Sequence, residues 1–227
     1  MIEEVFVTEL GCELRFVDLP TESIPERPFG DAVADGVVIS GSFGSANDQE
    51  PWRLALKEWL SAPVGVAARA ARDVPRETVP PLDTRGVPRL GICGGHQIQA
   101  VAWGGVVGPA AEPQLGLFPL ELEGRRELVV QLHVEAVLRP PEFAEVWAVD
   151  ASGIQALRYP GHTWTVQFHP ELSVELSRAA IERQGVEVHA EALVAATERG
   201  RAFIRRWIEG LERGAERPSR PWEARWT

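Results

Sequence analysis

The segment from residue 90 to residue 97 constrains the fold of this chain more than any other. An apolar run ends there at Cys93, two glycines follow directly, and a helix-like segment begins. A strand that turns sharply into a helix can hold one side chain exposed at the top of a sheet, as in some hydrolases. The helix N-terminus behind that side chain favours a thiolate over a thiol. Because a packed core cysteine has no need of flanking glycines, we predict that Cys93 is a nucleophile.

A second informative segment, residues 165–171, is β-rich and ends in His169, Pro170 and Glu171. A cysteine nucleophile needs a base that accepts its proton, and the base needs a group that fixes its tautomer. Pro170 biases His169 towards an extended conformation, in which residues i and i+2 lie on the same side. We therefore expect Glu171 to reach the ring of His169, and the two residues to complete a catalytic triad with Cys93.

These segments resemble the motifs of a known family, the class I glutamine amidotransferases. Residues 91–97, GICGGHQ, are similar to the nucleophile motif G-[IV]-C-x-G-x-Q, and residues 167–171 are similar to the Q-F-H-P-E motif. Residues 35–45 are similar to the strand and glycine turn that supply the family's oxyanion hole. The motifs occur in the family's order. The Gly41-Ser42 pair, followed by residues 48–52, is most similar to the stand-alone branch called GMP-synthase-like.

The resemblance implies a mechanism in which Cys93 attacks the side-chain amide carbon of glutamine. His169 accepts the thiol proton and passes it to the departing ammonia, and water then cleaves the γ-glutamyl thioester. Backbone N–H groups stabilise the oxyanion, and in this chain they correspond to Gly94 and to the turn at Gly41 and Ser42. This chemistry calls for no cofactor and no metal, and we expect neither.

Two further residues correspond to family positions beside the substrate. Gln97 matches the family glutamine that contacts it. His133 lies in a segment similar to the family's H-G-D sequence, which lies beside the amino-acid head of the substrate, but Val134 and Glu135 replace the glycine and the aspartate. A branched side chain adds bulk where glycine lets a ligand approach the backbone. A site role and a structural role for His133 both stay open, and so does the preference for glutamine. His96 occupies a variable family position, and we expect it to be structural.

Charge and composition exclude several classes of partner. The formal net charge of −10 argues against a nucleic acid or an anionic membrane as partner. We find no apolar run near the roughly 18 residues of a membrane span, and no signal-peptide pattern at the start. The chain has two cysteines, of which one is needed as a thiol, and this indicates a reducing compartment. We therefore expect a cytoplasmic protein.

Apolar periodicity predicts alternating strands and helices. The predicted strands span residues 13–19, 36–39, 89–92, 117–122, 127–132, 145–150, 155–158 and 163–168, and the predicted helices span residues 51–62, 97–103, 173–183 and 190–213. Such units predict an α/β fold with three layers. We expect a mainly parallel, flavodoxin-like sheet flanked by helices, with a smaller antiparallel strand set and the active residues at the carboxyl ends of strands.

The two ends of the chain and one long connection depart from the family's usual lengths. Apolar residues at the start, with Gly11 after them, predict a helix over residues 2–10 and no strand before it; a short strand marked by Val5 and Val7 is the alternative. Residues 63–87 are proline-rich and predict an exposed loop. We expect a single domain over residues 1–213 and an Arg-, Pro- and Trp-rich tail over residues 214–227.

Three function classes are compatible with these features. The first is a glutamine amidotransferase or glutaminase that feeds ammonia to a partner synthase, because no ATP-grasp or P-loop sequence accompanies the domain. The second is a stand-alone γ-glutamyl hydrolase or cysteine peptidase that acts on a γ-glutamyl peptide or conjugate through the same triad. The third is a binding module, against which an intact triad argues. We favour the first, with glutamine or a γ-glutamyl compound as the small-molecule substrate.

Overall fold

The computed structural model describes residues 4–22, 35–61 and 88–214. Its elements are a π-helical turn at Glu4–Glu9, β1 Val37–Ile39, α1 Pro51–Ser61, β2 Arg89–Ile92, α2 Gly94–Ala102, β3 Val106–Leu122, β4 Arg125–Arg139, β5 Glu145–Asp150, β6 Gly153–Tyr159, β7 Thr163–Val166, α3 Val174–Glu182 and α4 Ala190–Gly214. The predicted loop over residues 63–87 and the tail beyond residue 214 lie outside the described residues. The division into one domain and a tail therefore stays a prediction.

The described strands form one mixed sheet in the order β1-β2-β7-β6-β4-β3, with β5 paired to β6. Strands β1, β2 and β7 are parallel, and the other pairings are antiparallel. The predicted α/β class is confirmed. Within the described residues the antiparallel part is larger than we expected, because β3 and β4 run on as a long hairpin of 17 and 15 residues. The pairing is irregular between Pro109 and Gln114 of β3, whereas Gly116 and Pro119 of the same strand pair regularly with β4.

Helices cover both sides of the sheet. On one side the N-terminal turn and α4 pack on the sheet through Val5, Phe6, Phe203 and Trp207. On the other side α1 and α2 contribute Leu56, Leu60 and Ile98 to a second core. Burial of these apolar side chains stabilises the fold by about 1.5–3 kcal/mol for each large residue. The arrangement is the three-layer architecture that the alternating pattern predicts.

The N-terminal segment is helical, but it differs in detail from the prediction. It forms a π-helical turn at Glu4–Glu9, and Gly11 follows with a φ of 67°. The Gly11 N–H donates to Val7 O at 3.1 Å and the Cys12 N–H to Phe6 O at 2.8 Å, which is the way that a glycine commonly ends a helix. The helix forms because Val5 and Phe6 are both buried in the core.

The strand predicted over residues 13–19 is wrong, since this segment has no strand pairing in the described chain and residue 19 begins a turn. Its alternating pattern is real, because Cys12, Leu14 and Leu19 are half-buried and pack against the core while their neighbours are exposed. Period-two burial arises from packing on one side and does not by itself require a hydrogen-bonded neighbour.

Candidate active site

Cys93 lies between β2 and α2, at the carboxyl end of a central parallel strand. It has a φ of 50° and a ψ of −105°, a conformation that is costly for a residue with a side chain. The surrounding structure holds it there, since the Cys93 N–H donates to Val166 O at 2.8 Å and its carbonyl accepts from the Gln97 N–H at 3.1 Å. Cys93 is 8 % exposed, at the N-cap position of α2. This is the strand–turn–helix geometry expected from residues 90–97.

The turn after β1 lies directly over the N-terminus of α2. A Cβ atom on Gly94 would be 2.7 Å from both the N and the Oγ of Ser42, and a Cβ on Gly95 would be 2.0 Å from Ile39 O. Only glycine permits this approach. A Cβ on Gly41 would be 3.5 Å from the Cys93 Cβ and 3.3 Å from the His169 Cε1. The structure therefore brings the predicted oxyanion residues Gly41, Ser42 and Gly94 together beside Cys93.

His169 and Glu171 form the contact that their spacing predicts. The His169 Nδ1 lies 2.9 Å from the Glu171 Oε1, and the His169 N–H donates to Val130 O at 2.9 Å, which holds the segment against β4. Burial by itself lowers the pKa of His169. The Glu171 charge, hydrogen bonds to Cys93 and Glu171, and the Cys93 charge outweigh burial and raise this pKa to about 10. The ring therefore holds its proton at neutral pH.

Gln97 lies on α2 and is buried, and its predicted contact with substrate stays a prediction. Its Nε2 lies 2.8 Å from Glu135 O and 3.2 Å from the Gln167 Oε1. Gln167 is fully buried, and its Nε2 lies 3.6 Å from the Cys93 Sγ. Both hydrogens of the Gln97 amide nitrogen thus have partners within the protein.

His133 is buried on β4, and its Nδ1 donates to Glu135 O at 3.0 Å. Burial lowers the pKa of His133, the backbone bond and the Asp150 charge oppose this, and the His169 charge lowers it further. His133 thus lies near His169 and is neutral. Val134 is 58 % exposed, on the opposite side of the strand. Within the described residues the His133 Nε2 has no hydrogen-bond partner.

His96 lies inside the fold on the sheet side of α2. Its Nε2 donates to Ile154 O at 3.1 Å, and its Nδ1 accepts from the Thr165 hydroxyl at 2.8 Å. Burial lowers the pKa of His96 to about 3, so the ring is neutral at physiological pH. Its contacts are those of a residue that joins α2 to the sheet, in line with the structural role we expect.

Arg53 belongs to the site region but was not predicted from the sequence. It is 3 % exposed on α1, where its guanidinium donates to the Ser42 Oγ at 3.2 Å and to Phe43 O. It also bonds Glu50 and lies over the Trp52 ring at 4.2 Å. Arg53 therefore holds the turn that carries Ser42. The sequence does contain a signal, since Arg53, Leu56 and Leu60 share one buried helix face.

Gln167 was not predicted as a site residue either, although it belongs to a motif that the sequence displays. A glutamine between Val166 and Phe168, both of which are buried, is a polar residue in an apolar run. Such a residue needs a buried partner, and that requirement is the signal that could have identified it.

The described ranges contain no helix that is both long and apolar enough to cross a membrane. In those same ranges no three His, Cys, Asp or Glu side chains lie together in a way that could hold a metal ion.

Comparison with known proteins identifies the family. The family model described as glutamine amidotransferase class-I matches residues 5–188. The glutamine-hydrolyzing GMP synthase of Aeropyrum pernix is 39 % identical over 38 % of this chain, which spans only 19 % of that relative. Anthranilate synthase component 2 of Archaeoglobus fulgidus is 41 % identical over 38 % of this chain and about half (53 %) of its own length. Gamma-glutamyl peptidase 2 of Arabidopsis thaliana is 28 % identical over 79 % of this chain and 71 % of its own length.

A solved structure shares the fold. The glutamine amidotransferase of Thermotoga maritima superposes with a TM-score of 0.66 at 18 % identity, over 94 % of this chain and 90 % of the other. The elbow at Cys93, the turn over α2 and the match across residues 5–188 lead to one conclusion: the chain belongs to the class I glutamine amidotransferase family.

Proposed function

We propose that this protein hydrolyses the side-chain amide of glutamine through Cys93, His169 and Glu171. The observation that carries the proposal is the geometry around the thiol. Cys93 lies at the N-terminus of α2, and His169, which bonds Glu171 at 2.9 Å, faces it across Gly41. A nucleophile, a base and a group that orients the base are the parts that nucleophilic catalysis requires.

The charge state of His169 sets the order of proton transfers. With a pKa raised to about 10, His169 is an imidazolium at neutral pH, and the nucleophilic form of the neighbouring Cys93 is the thiolate. The thiolate attacks the amide carbon, and the imidazolium protonates the leaving ammonia. His169, now neutral, takes a proton from water, which attacks the γ-glutamyl thioester and releases glutamate. Glu171 supports the positive ring in both steps.

We infer that two backbone N–H groups stabilise the oxyanion in both tetrahedral intermediates. The Gly94 N–H lies at the start of α2, and the Ser42 N–H lies in the turn packed against it. Donors fixed before the reaction stabilise developing charge more than donors that must reorient. Arg53 contributes indirectly, because it fixes the turn that carries Ser42.

We further propose that the ammonia passes to a synthase on another chain. The support is the relative named anthranilate synthase component 2, which by its name is one part of an assembly. The proposed location is the cytoplasm. The two cysteines of the chain, both within the described residues, are not joined in a disulfide, which fits a reducing compartment.

The second candidate function is hydrolysis of a γ-glutamyl peptide or conjugate. The specific observation in its favour is the match to gamma-glutamyl peptidase 2, which is 28 % identical over 79 % of this chain. The replacement of the family's glycine and aspartate by Val134 and Glu135 is a second departure from the sequence that accompanies glutamine. The triad chemistry is the same for both substrates.

A comparison of substrates tests the proposal. Glutamine and a γ-glutamyl dipeptide are each incubated with the native protein, and glutamate release is measured, together with ammonia for glutamine. We expect turnover of glutamine by the native protein and by Cys12→Ala, and none by Cys93→Ala. If Cys93→Ala retains turnover, the site is wrong. Turnover of the dipeptide with no turnover of glutamine establishes the second function.

A further inference from the structure

We propose that Gln167 is a catalytic residue that donates a hydrogen bond to the Cys93 sulfur and stabilises its thiolate, and that Gln97 is a positioning residue that holds the Gln167 amide in the donating orientation. The inference rests on the proposed role of Cys93 as nucleophile. It adds a group in contact with the reacting sulfur and gives Gln97 a role other than substrate contact.

The orientation of the two amides follows from a fixed acceptor. The oxygen and nitrogen of a side-chain amide are assigned from hydrogen bonds, so an isolated contact does not establish which atom faces a partner. Here the Glu135 carbonyl can only accept, so the Gln97 atom 2.8 Å from it is the NH₂ group. That nitrogen carries two hydrogens, and its second contact, at 3.2 Å, must therefore be the Gln167 oxygen.

The consequence for Gln167 is that its remaining amide atom is a donor. With its oxygen occupied by Gln97, the Gln167 NH₂ lies 3.6 Å from the Cys93 Sγ, a hydrogen-bond distance for sulfur. The glutamine is fully buried, so water does not replace this donor. A hydrogen bond to the charged form of an acid favours ionisation, and the bond to the sulfur therefore favours the thiolate.

Other groups also act on the sulfur. His169 and, behind it, Glu171 face it from the segment after β7, and His133 on β4 lies near His169. The positive end of α2 lies at the sulfur itself, and Arg53 on α1 approaches the neighbouring turn. All of these groups remain in the variants used to test Gln167, so a change in the titration of Cys93 reports the amide alone.

The test measures the rate at which iodoacetamide alkylates Cys93 as a function of pH, with the modified peptide quantified by mass spectrometry. Gln167→Met keeps the length of the side chain and removes the donor. We expect its profile to move upward by about one pH unit, since a hydrogen bond to a charged group is lost. Gln97→Met leaves the Gln167 amide able to turn, and we expect about half that shift.

Gln99 provides the matched control. It is a fully buried glutamine on the same helix, and neither of its amide atoms has a hydrogen-bond partner in the described residues. Gln99→Met makes the same substitution away from the sulfur, and we expect no shift. Thermal unfolding of each variant verifies folding. If Gln167→Met does not fold, the shift in Gln97→Met decides the question.

The outcomes separate this inference from the proposed function. Coincident profiles for the native protein and Gln167→Met overturn the role of Gln167, while Cys93 stays the nucleophile. An equal shift in Gln99→Met also overturns it, because the effect is then general repacking. A Cys93 that resists alkylation in the folded native protein at every pH, but reacts after unfolding, overturns the proposed function and this inference together.

Discussion

Two regions that meet at Cys93 differ in burial. The buried side is the segment that carries Cys93, residues 89–100, in which every residue is buried. The exposed side is the turn packed over it, residues 42–44, in which Phe43 is completely exposed. The buried side is held by strand pairing and by the packing of α2 on the sheet. The exposed turn is held by side chains. The Arg53 guanidinium donates hydrogen bonds to Ser42 and Phe43, and the Asp48 carboxylate accepts one from the Ser45 N–H at 2.9 Å.

This difference divides the proposed chemistry between two kinds of support. The nucleophile and its base depend on the core, so single substitutions around them change chemistry only when they touch the reacting groups. The oxyanion donor on Ser42 depends on a few polar contacts at the surface, so a substitution that touches no substrate can still remove it. Loops on rigid scaffolds commonly carry such functions.

We expect the largest effect from substitutions in the triad on the buried side. His169→Ala should lower kcat by about a thousandfold or more, because the same ring serves thiolate formation and ammonia protonation. Glu171→Gln keeps the shape of the partner but removes the charge that supports the ring, so its loss should be smaller. Steady-state kinetics on glutamine measure both. Equal and mild effects would show that the triad is idle and would favour a binding module.

On the exposed side, Arg53→Met removes the hydrogen bonds that hold the turn at Ser42 and Phe43. We expect kcat to fall about tenfold to a hundredfold, since one oxyanion donor loses its fixed position. Steady-state kinetics on glutamine measure the fall. Alkylation of Cys93 should change much less than kcat, because Arg53 bonds the turn and not the sulfur.

Lys57→Met is the matched control for Arg53→Met. Lys57 lies one turn further along α1 and donates to Ala46 O and Asp48 O, both at 3.2 Å, so its loss affects the loop but leaves Ser42 held. We expect the smaller defect from Lys57→Met. A larger defect in that variant would mean that Arg53 does not position the oxyanion turn.

The two sides also differ in how far sequence predicts them. Cys93 and the glycines after it specify a local geometry, because only one backbone path accommodates them, and the contact between His169 and Glu171 follows from extended spacing. Arg53 and Ser42 are in contact although they are eleven residues apart in the sequence, and Gln167 and Cys93 are seventy-four residues apart. Such contacts depend on how whole elements pack. The extent of β3 was not predicted for a related reason, since its pairing with β4 continues through glycines and prolines that normally end strands.

The charge on His169 gives a pH test of the buried side. Its pKa is about 10 in the folded protein and about 6.5 in the unfolded chain. Its contribution to stability is therefore fully present below pH 6.5 and is lost as the pH rises towards 10.

We expect the free energy of unfolding, measured by urea titration, to fall across this interval in the native protein. The fall should be smaller in Glu171→Gln, because the Glu171 charge is the largest cause that raises this pKa. If both proteins show the same dependence, His169 does not bear this charge.

The smallest expected effect concerns substrate preference and comes from Val134→Gly. Val134 is exposed and precedes Glu135, whose carbonyl accepts a hydrogen bond from Gln97. The valine side chain therefore lies at the surface, one residue from the buried contacts between Gln97 and Gln167. Glycine at this position should lower KM for glutamine about two- to fivefold with little change in kcat, if only the fit of the amino-acid head improves. Steady-state kinetics on glutamine for the native protein and the variant measure this change.

Leu138→Gly, which also replaces an exposed apolar residue on β4, controls for weakening of the strand in Val134→Gly. If Val134→Gly leaves KM for glutamine unchanged, this strand lies outside the pocket and its valine does not set the substrate. If KM falls in both variants, a looser β4 is the cause. A fall in Val134→Gly alone would mean that the native valine disfavours glutamine, which is the result expected of an enzyme that acts on a larger γ-glutamyl compound.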